Sequence, residues 1–199
     1  KVLSESGAPV TREALEAALA TQRGEIKQLP PMFSAVWVDG KRLYDLARKG
    51  KEVERPLRDV TIHRLELLEF NEAERTCAID VTCSKGTYIR TICHDLGAAL
   101  GCGGVLTGLR RTMTMGFTQE QCITMDQLRD ICQEGRLEEA LLPVDSAFAR
   151  YDRVFLSPHQ ARMFCSGAVL DTRRVRHPNT TQPLRVYEGG GSSRFLGLA

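Results

Sequence analysis

An α+β fold, a mixed and mainly antiparallel sheet flanked by helices with a small β-rich module after it, is what these 199 residues predict. Three observations carry that expectation. Two apolar-rich runs, 60–70 (VTIHRLELLEF) and 76–83 (TCAIDVTC), are joined by the short link NEAER, as in an antiparallel hairpin. Helical stripes flank them at 11–23 and 88–100. After LLPVDSAF the character changes to short strands in an arginine-rich tail, which places a boundary near 145–152 and divides the chain into 1–147 and 148–199.

Composition narrows the function classes. With 42% hydrophobic and 26% charged residues the chain is globular, and wholesale disorder is excluded. There is no apolar run of ~18 residues, and the first thirty residues lack the basic start and apolar stretch of a secretory signal. The cytoplasm is therefore the expected compartment. The seven cysteines are odd in number and contain no C-x-x-C, so neither a disulfide framework, a zinc knuckle nor any other metal site is expected, and the thiols read as reduced and mostly buried. The chain starts at Lys1 rather than Met, so the natural start is expected further upstream. The net charge of +2 hides an asymmetry: residues 148–199 hold eight arginines, no lysine and three acids, +5, which leaves −3 for the rest. A basic tail module on a mildly acidic body fits a polyanion partner.

Along the chain, Thr11 reads as the N-cap of a helix whose Leu15, Ala18 and Leu19 form one stripe before Gly24. Pro30 and Pro31 bar a helix, 34–38 is β-prone, Asp39-Gly40 is a turn pair, and 42–49 is helical up to Gly50, so 31–58 reads as an irregular excursion from the core. The 88–100 helix carries Ile89, Ile92, Leu96 and Leu100 at helical spacing, with Gly101 at its end. Residues 105–117 (VLTGLRRTMTMGF) read as a strand, and Thr124 with Gln127 as a capping box. In the tail, a strand at 154–156, a helix capped by Ser157 with Pro158 at its first position, and strands at 184–188 and 194–198 are expected, with GGGS at 189–192 as a hairpin loop.

The segment 83–97 (CSKGTYIRTICHDLG) ends a strand, passes Gly86 and enters a helix, which sets free N–H groups and the positive helix end beside Lys85, Tyr88 and Arg90. Two readings fit: an anion site for a phosphate or carboxylate, or an ordinary turn with Lys85 in water. The order Lys85-Gly86-Thr87 is not a P-loop. Arg90 is the more telling residue, because a cation in the first turn of a helix needs an acidic partner unless it reaches water, and no acid lies next to it in sequence.

Three stretches in this order and spacing, QLPPMFSAVWVDGKRLYDLARKG, CSKGTYIRTICHDLG and LGCGGVLTGLRRTMTMGF, resemble the TruB-type family of tRNA pseudouridine synthases. The likeness runs from about Gly24 to Phe117 and continues more weakly to Ala199, where VLSPHQARMFCSG and LRVYEGGGSSRFLGLA are similar to a small RNA-binding module of PUA-like type. The resemblance implies the pseudouridine synthase catalytic fold, in part, succeeded by that module. It implies isomerisation of a uridine in the TΨC arm of tRNA to pseudouridine, after flipping of the base, with no metal or organic cofactor.

The aspartate central to that chemistry belongs to a G-x-x-G-T-L-D type motif, with a base-stacking tyrosine beyond it. Neither motif occurs in these residues, and Asp39, Asp45, Asp80 and Asp95 lie in segments that match other parts of the pattern. The chain thus resembles the C-terminal two-thirds of such an enzyme, and a non-catalytic tRNA-binding piece is the alternative reading. By resemblance Arg90 pairs with the absent aspartate, Tyr88 belongs to the same hydrogen-bonding group, and Leu109 lines the uracil pocket. The 31–58 excursion matches an insertion that closes over the T stem-loop like a thumb. Arg42, Arg48, Lys49, Lys51, Arg55 and Arg58 in and beside it suit phosphate contact, while Phe33, Trp37 and Tyr44 offer stacking faces or pack the insertion on the body. Lys85, Arg110 and Arg111 are further RNA contacts, one of the latter two facing inward if both lie on a strand, and Arg173, Arg174 and Arg176 supply the tail. A sheet lacking strands would leave an edge through which copies could associate.

Overall fold

The computed structural model describes residues 6–190 and 193–199. The backbone forms two units that meet between Leu109 and Arg110. In the first, α1 (Arg12–Thr21) starts where the Thr11 hydroxyl accepts the Ala14 N–H at 3.2 Å. It turns its Leu15, Ala18 and Leu19 inward. Strand β1 (Gly24–Gln28) comes next, then a two-residue hairpin of β2 (Trp37–Val38) and β3 (Lys41–Arg42), and α2 (Leu43–Arg48). Asp39 and Gly40, at φ 48° and 73°, make the loop of that hairpin, the left-handed pair that a tight two-residue turn demands. The excursion is peripheral by its sequence, yet Leu43 and Val36 are buried in it, so it has an apolar anchor of its own.

Strands β4 (Arg58–Asn71) and β5 (Thr76–Cys83) pair antiparallel, and β1 joins the far side of β4, giving the order β1-β4-β5. Residues 76–83 and 60–70 therefore form the expected hairpin. β1 is an addition that the sequence did not announce. The phase of β4 breaks twice, with His63 and Leu68 as the extra residues of two bulges, and each bulge moves the inward row on by three: Ile62 to Leu65, Leu67 to Phe70. Helix α3 (Ile89–Ala99) lays Ile92 and Leu96 against this row beside α1, which closes the core around Leu15, Leu19, Ile62 and Leu65. The backbone of 103–104 then presses on α3 so closely that a Cβ on Gly97 would stand 2.1 Å from the Gly103 carbonyl carbon, and one on Gly104 2.2 Å from the Cys93 oxygen. Only glycine fits at either place.

The second unit corrects one expectation. Residues 105–117 are not a strand: the chain stays irregular to Thr112, and only β6 (Met113–Thr114) and β7 (Phe117–Thr118) pair, around Met115 and Gly116 at φ 52° and 87°. Most apolar residues of 105–117 find no core: Val105, Leu109, Met113 and Met115 are all more than half exposed, and Leu106 and Phe117 are half-buried. Helix α4 (Met125–Gln133) has the predicted capping box, Thr124 with Gln127, and α5 (Leu137–Ala140) comes after it, neither burying a residue.

A short 3-10 turn (Val144–Phe148) leads into β8 (Arg153–Leu156) and α6 (Pro158–Cys165), which is capped by Ser157 as predicted. β9 (Arg185–Glu188) runs parallel to β8 and antiparallel to β10 (Arg194–Leu198). Val154, Leu156 and Val186 meet Ala161 of α6 in a small separate core. The GGGS loop lies partly outside the described residues. The cysteines are free, but none is buried: Cys77, Cys122, Cys132 and Cys165 are exposed and the other three half-buried. Cys83 and Cys102 pack against the edge of the first core, whereas Cys132 sits on α4, which buries nothing.

Candidate functional site

The QLPPMF segment cannot pair as a strand past Gln28, because Pro30 and Pro31 carry no N–H. Side chains hold its carbonyls instead. Thr91 Oγ1 donates to the Leu29 oxygen at 3.4 Å, Arg55 Nη1 to Pro30 at 3.1 Å, and Arg90 Nη2 to Phe33 at 2.9 Å. Arg55 also pairs with Glu52 at 2.9 Å, and its side chain is only 13% exposed. The result is a strap, 28–34, fixed to the first turn of α3 and to the far end of the excursion.

The loop into α3 is equally determined. Ser84 donates its N–H to Thr61 and accepts the Thr61 N–H on its hydroxyl, both within 2.9 Å, and the Thr87 hydroxyl returns to the Ser84 carbonyl. Gly86 takes φ 85°, so the chain can turn back into the helix. Lys85, at the tip, is exposed. Tyr88, half-buried, has no free N–H for an anion, since that group donates to Gln28 Oε1 at 3.0 Å. Arg90 is exposed and, among the described residues, makes no ion pair, its hydrogen bond being to a carbonyl. Sequence reasoning passed over Gln28, a polar residue next to two prolines. Its only signal is that it falls on the inward row of a strand too short to recognise.

On the excursion, Arg42 stacks on Trp37 at 4.9 Å and Arg48 on Tyr44 at 5.3 Å. Trp37, Arg42, Tyr44 and Lys49 border a shallow, open depression of about 350 Å³. Trp37 is 61% and Phe33 58% exposed, so both present faces to solvent rather than packing on the body. Lys51 and Arg58 are exposed, the latter opposite Gln28 in the β1–β4 register. Leu109 is 64% exposed. In the second unit Arg110 donates to Gln119 at 2.9 Å, and both it and Arg111 are exposed because no strand turns one of them inward. Arg173 and Arg174 share the Asp171 carboxylate, at 3.3 and 3.6 Å, and Arg176 is exposed.

Neither thiol near α3 is activated. Partial burial raises the pKa of Cys77, and burial with, next, the proximity of Cys77 raises that of Cys93, so both stay protonated and poorly nucleophilic. Among the described residues no group of histidine, cysteine or carboxylate side chains could hold a metal. None of their helices is long and apolar enough to cross a membrane.

Two family models match in tandem: the N-terminal domain of TruB family pseudouridylate synthases over residues 1–89, and the C-terminal domain of tRNA pseudouridylate synthase B over 90–149. The chain belongs to the TruB family. Its relatives include proteins described as tRNA pseudouridine synthase B: one from Azoarcus, 45% identical over 99% of this chain and 62% of its own length, and one from Pseudomonas aeruginosa, 43% identical over 100% and 64%. The chain thus spans under two thirds of the length of these relatives. Among solved structures it is similar to a Cbf5-Nop10-Gar1 complex, with TM-score 0.69 and 25% identity over 90% of this chain and 52% of that one. An H/ACA RNP bound to a substrate RNA containing 2'-deoxyuridine gives TM-score 0.67 at 21% identity, over 92% and 53%, a likeness of fold. The family assignment covers all three motifs, and with them the strap, the loop into α3 and the 103–104 contact.

Proposed function

We propose that this chain is the RNA-holding part of a cytoplasmic tRNA pseudouridine synthase that isomerises a uridine in the TΨC arm. The observation that carries the reading is Arg90: a guanidinium in the first turn of α3, with one N–H on the Phe33 carbonyl and no carboxylate partner among the described residues. Its remaining donors suit a bidentate carboxylate, the group that the family's G-x-x-G-T-L-D motif supplies. In the reaction the N1 glycosidic bond breaks, the uracil turns, C5 bonds to the sugar, and the proton lost from C5 is balanced by one gained at N1. Arg90 would hold the aspartate, Tyr88 would complete the hydrogen-bonding group, and Leu109 would line the base pocket.

The 31–58 excursion then works as a thumb. Trp37 and Tyr44 offer π-faces already backed by Arg42 and Arg48, and Lys49, Lys51 and Arg58 lie exposed beside them for phosphates. Arg55 belongs to the thumb's base more than to its RNA face. Lys85, Arg110 and Arg111, each exposed, would add further phosphate contacts. Residues 148–199 form a PUA-like module whose Arg173, Arg174 and Arg176 add phosphate contacts without a base preference. The turn before it is tied in by Tyr187, whose hydroxyl donates to Asp145 at 2.5 Å.

Two measurements test this. The 199-residue chain should retain a T stem-loop RNA on a filter at low salt, and lose it steeply as salt rises. A form of the protein that carries the aspartate motif should make pseudouridine in the same RNA. Absence of pseudouridine there overturns the enzymatic reading, and absence of RNA retention overturns the holding role.

A further inference from the structure

Gln28 ends β1 with 1% of its surface exposed, among the most buried side chains of the chain. It continues the inward row of Gly24 and Ile26, where a strand ordinarily places an apolar residue. Both ends of its amide bond the backbone of one residue: Oε1 accepts the Tyr88 N–H at 3.0 Å and Nε2 donates to the Tyr88 carbonyl at 3.4 Å. A backbone N–H can only donate, which fixes which way the amide points. Tyr88 precedes α3 in extended conformation, φ −101° and ψ 108°, and has no capping side chain of its own. Gln28 therefore does from a distant strand what the Glu or Gln of a capping box would do locally, accepting the N–H of the residue at the cap.

The position matters because of its neighbours on each side. Directly after Gln28 the strand ladder gives way to the strap, whose carbonyls at Leu29, Pro30 and Phe33 are held by Thr91, Arg55 and Arg90. Two residues after Tyr88 comes Arg90 itself. One buried amide thus joins the end of β1 to the start of α3 at the point where thumb base and helix meet. We infer that Gln28 is a positioning residue, whose amide sets the Tyr88 backbone so that Arg90 reaches the Phe33 carbonyl with its other guanidinium edge turned outward. The purpose of that outward edge, to meet a carboxylate, rests on the function proposed above; the positioning does not.

The test uses NMR on the 199-residue chain with Gln28→Met and Gln28→Glu. Methionine keeps the volume and removes both hydrogen bonds, whereas glutamate keeps the acceptor for Tyr88 beside a helix N-terminus that favours negative charge. In the unaltered chain the Tyr88 amide should exchange as slowly as buried helix amides, and the Arg90 guanidinium should give slowly rotating, resolved signals. Gln28→Met should speed Tyr88 exchange about tenfold or more, the scale of one lost hydrogen bond, and collapse the Arg90 signals, while Leu65 and Leu96 stay protected. Gln28→Glu should restore both in its protonated form, whose hydroxyl donates to the Tyr88 carbonyl as Nε2 does. Unchanged Arg90 signals in a folded Gln28→Met chain overturn the inference. So does a Tyr88 amide exchanging freely in the unaltered chain, which decides the matter even if Gln28→Met does not fold. Stem-loop retention measured alongside separates the two readings, since loss of RNA binding with intact Arg90 signals in the unaltered chain counts against the function alone.

Discussion

The arginines that hold the 28–34 strap and those of the tail are the same residue put to opposite physical use. Arg55 and Arg90 commit hydrogen bonds to carbonyls of a proline-broken strap, and Arg55 is nearly buried in doing so. Arg173 and Arg174 are 91% and 84% exposed and share a single carboxylate, Asp171. A guanidinium fixed on backbone acceptors defines geometry; one held by a surface ion pair contributes little to stability and remains free to meet a phosphate. The first group is therefore expected to govern where chemistry happens, and the second how tightly a polyanion is held.

Arg90→Lys should break the comparison most severely. Lysine keeps the charge but cannot serve a carbonyl and a carboxylate from one planar fork. In a form of the protein carrying the aspartate motif, turnover on the T stem-loop should fall by about 100-fold or more, the scale of losing a preorganised electrostatic contact, with RNA affinity nearly unchanged. Equal losses in affinity and turnover would move Arg90 out of the reacting centre and into simple RNA binding.

Arg55→Ala comes next, and its readout is stability. The change strands the Pro30 carbonyl and removes packed methylenes beneath the 31–58 excursion, so the first unit should lose about 1–3 kcal/mol in urea unfolding. A loss below about 0.5 kcal/mol would mean that Arg55 is a surface arginine after all.

The second unit has a place built like the anchor of the 28–34 strap, and it sharpens the contrast. Arg185, 8% exposed, donates to the Tyr151 carbonyl at 2.8 Å, and its neighbour Tyr187 bonds Asp145. Burial, then the Asp145 hydrogen bond, raises the pKa of the Tyr187 phenol. A group whose folded pKa is raised stabilises fully below its unfolded value, about 10 for tyrosine, and loses that contribution as pH climbs through the folded value. Tyr187→Phe should cost the module about 1 kcal/mol at neutral pH and flatten the decline in its stability above about pH 10. An identical alkaline decline in both proteins would assign it to other groups.

How far the sequence could be read obeys the same division. Helices α1 and α3 were legible because Leu15, Leu19, Ile92 and Leu96 repeat at helical spacing and face one core. The β4–β5 hairpin was legible despite its broken phase, since the two bulges shift the inward row without reversing it. Arg90 stood out because a cation at a helix start is electrostatically odd. β1 was hidden: it has five residues, and its inward row is a glycine, an isoleucine and a glutamine. The same disguise concealed Gln28, whose role depends on a loop sixty residues away. Residues 105–117 misled in the other direction, because an apolar run implies a strand only where a core exists to receive it, and in this chain Val105 and Met115 meet none.

The smallest effect on the fold is expected in the tail, where fold and RNA readouts should separate. Replacing Arg173, Arg174 and Arg176 together by alanine removes no buried contact, so unfolding of the module should shift by less than about 0.5 kcal/mol. The RNA readout should move instead. Each phosphate contact contributes about 0.7 to 0.9 to the slope of log affinity against log salt. Loss of three contacts should flatten that slope by about 2 to 3 and weaken T stem-loop binding most at low salt. The pattern across RNAs matters as much as the size, because phosphate contacts carry no base information: stem-loops of different sequence should weaken alike. If the slope does not change, these arginines face away from RNA and their exposure serves solubility. If the fold is lost with them, Asp171 is doing more in the module than pairing with two surface charges, and the contrast with Arg55 and Arg90 fails.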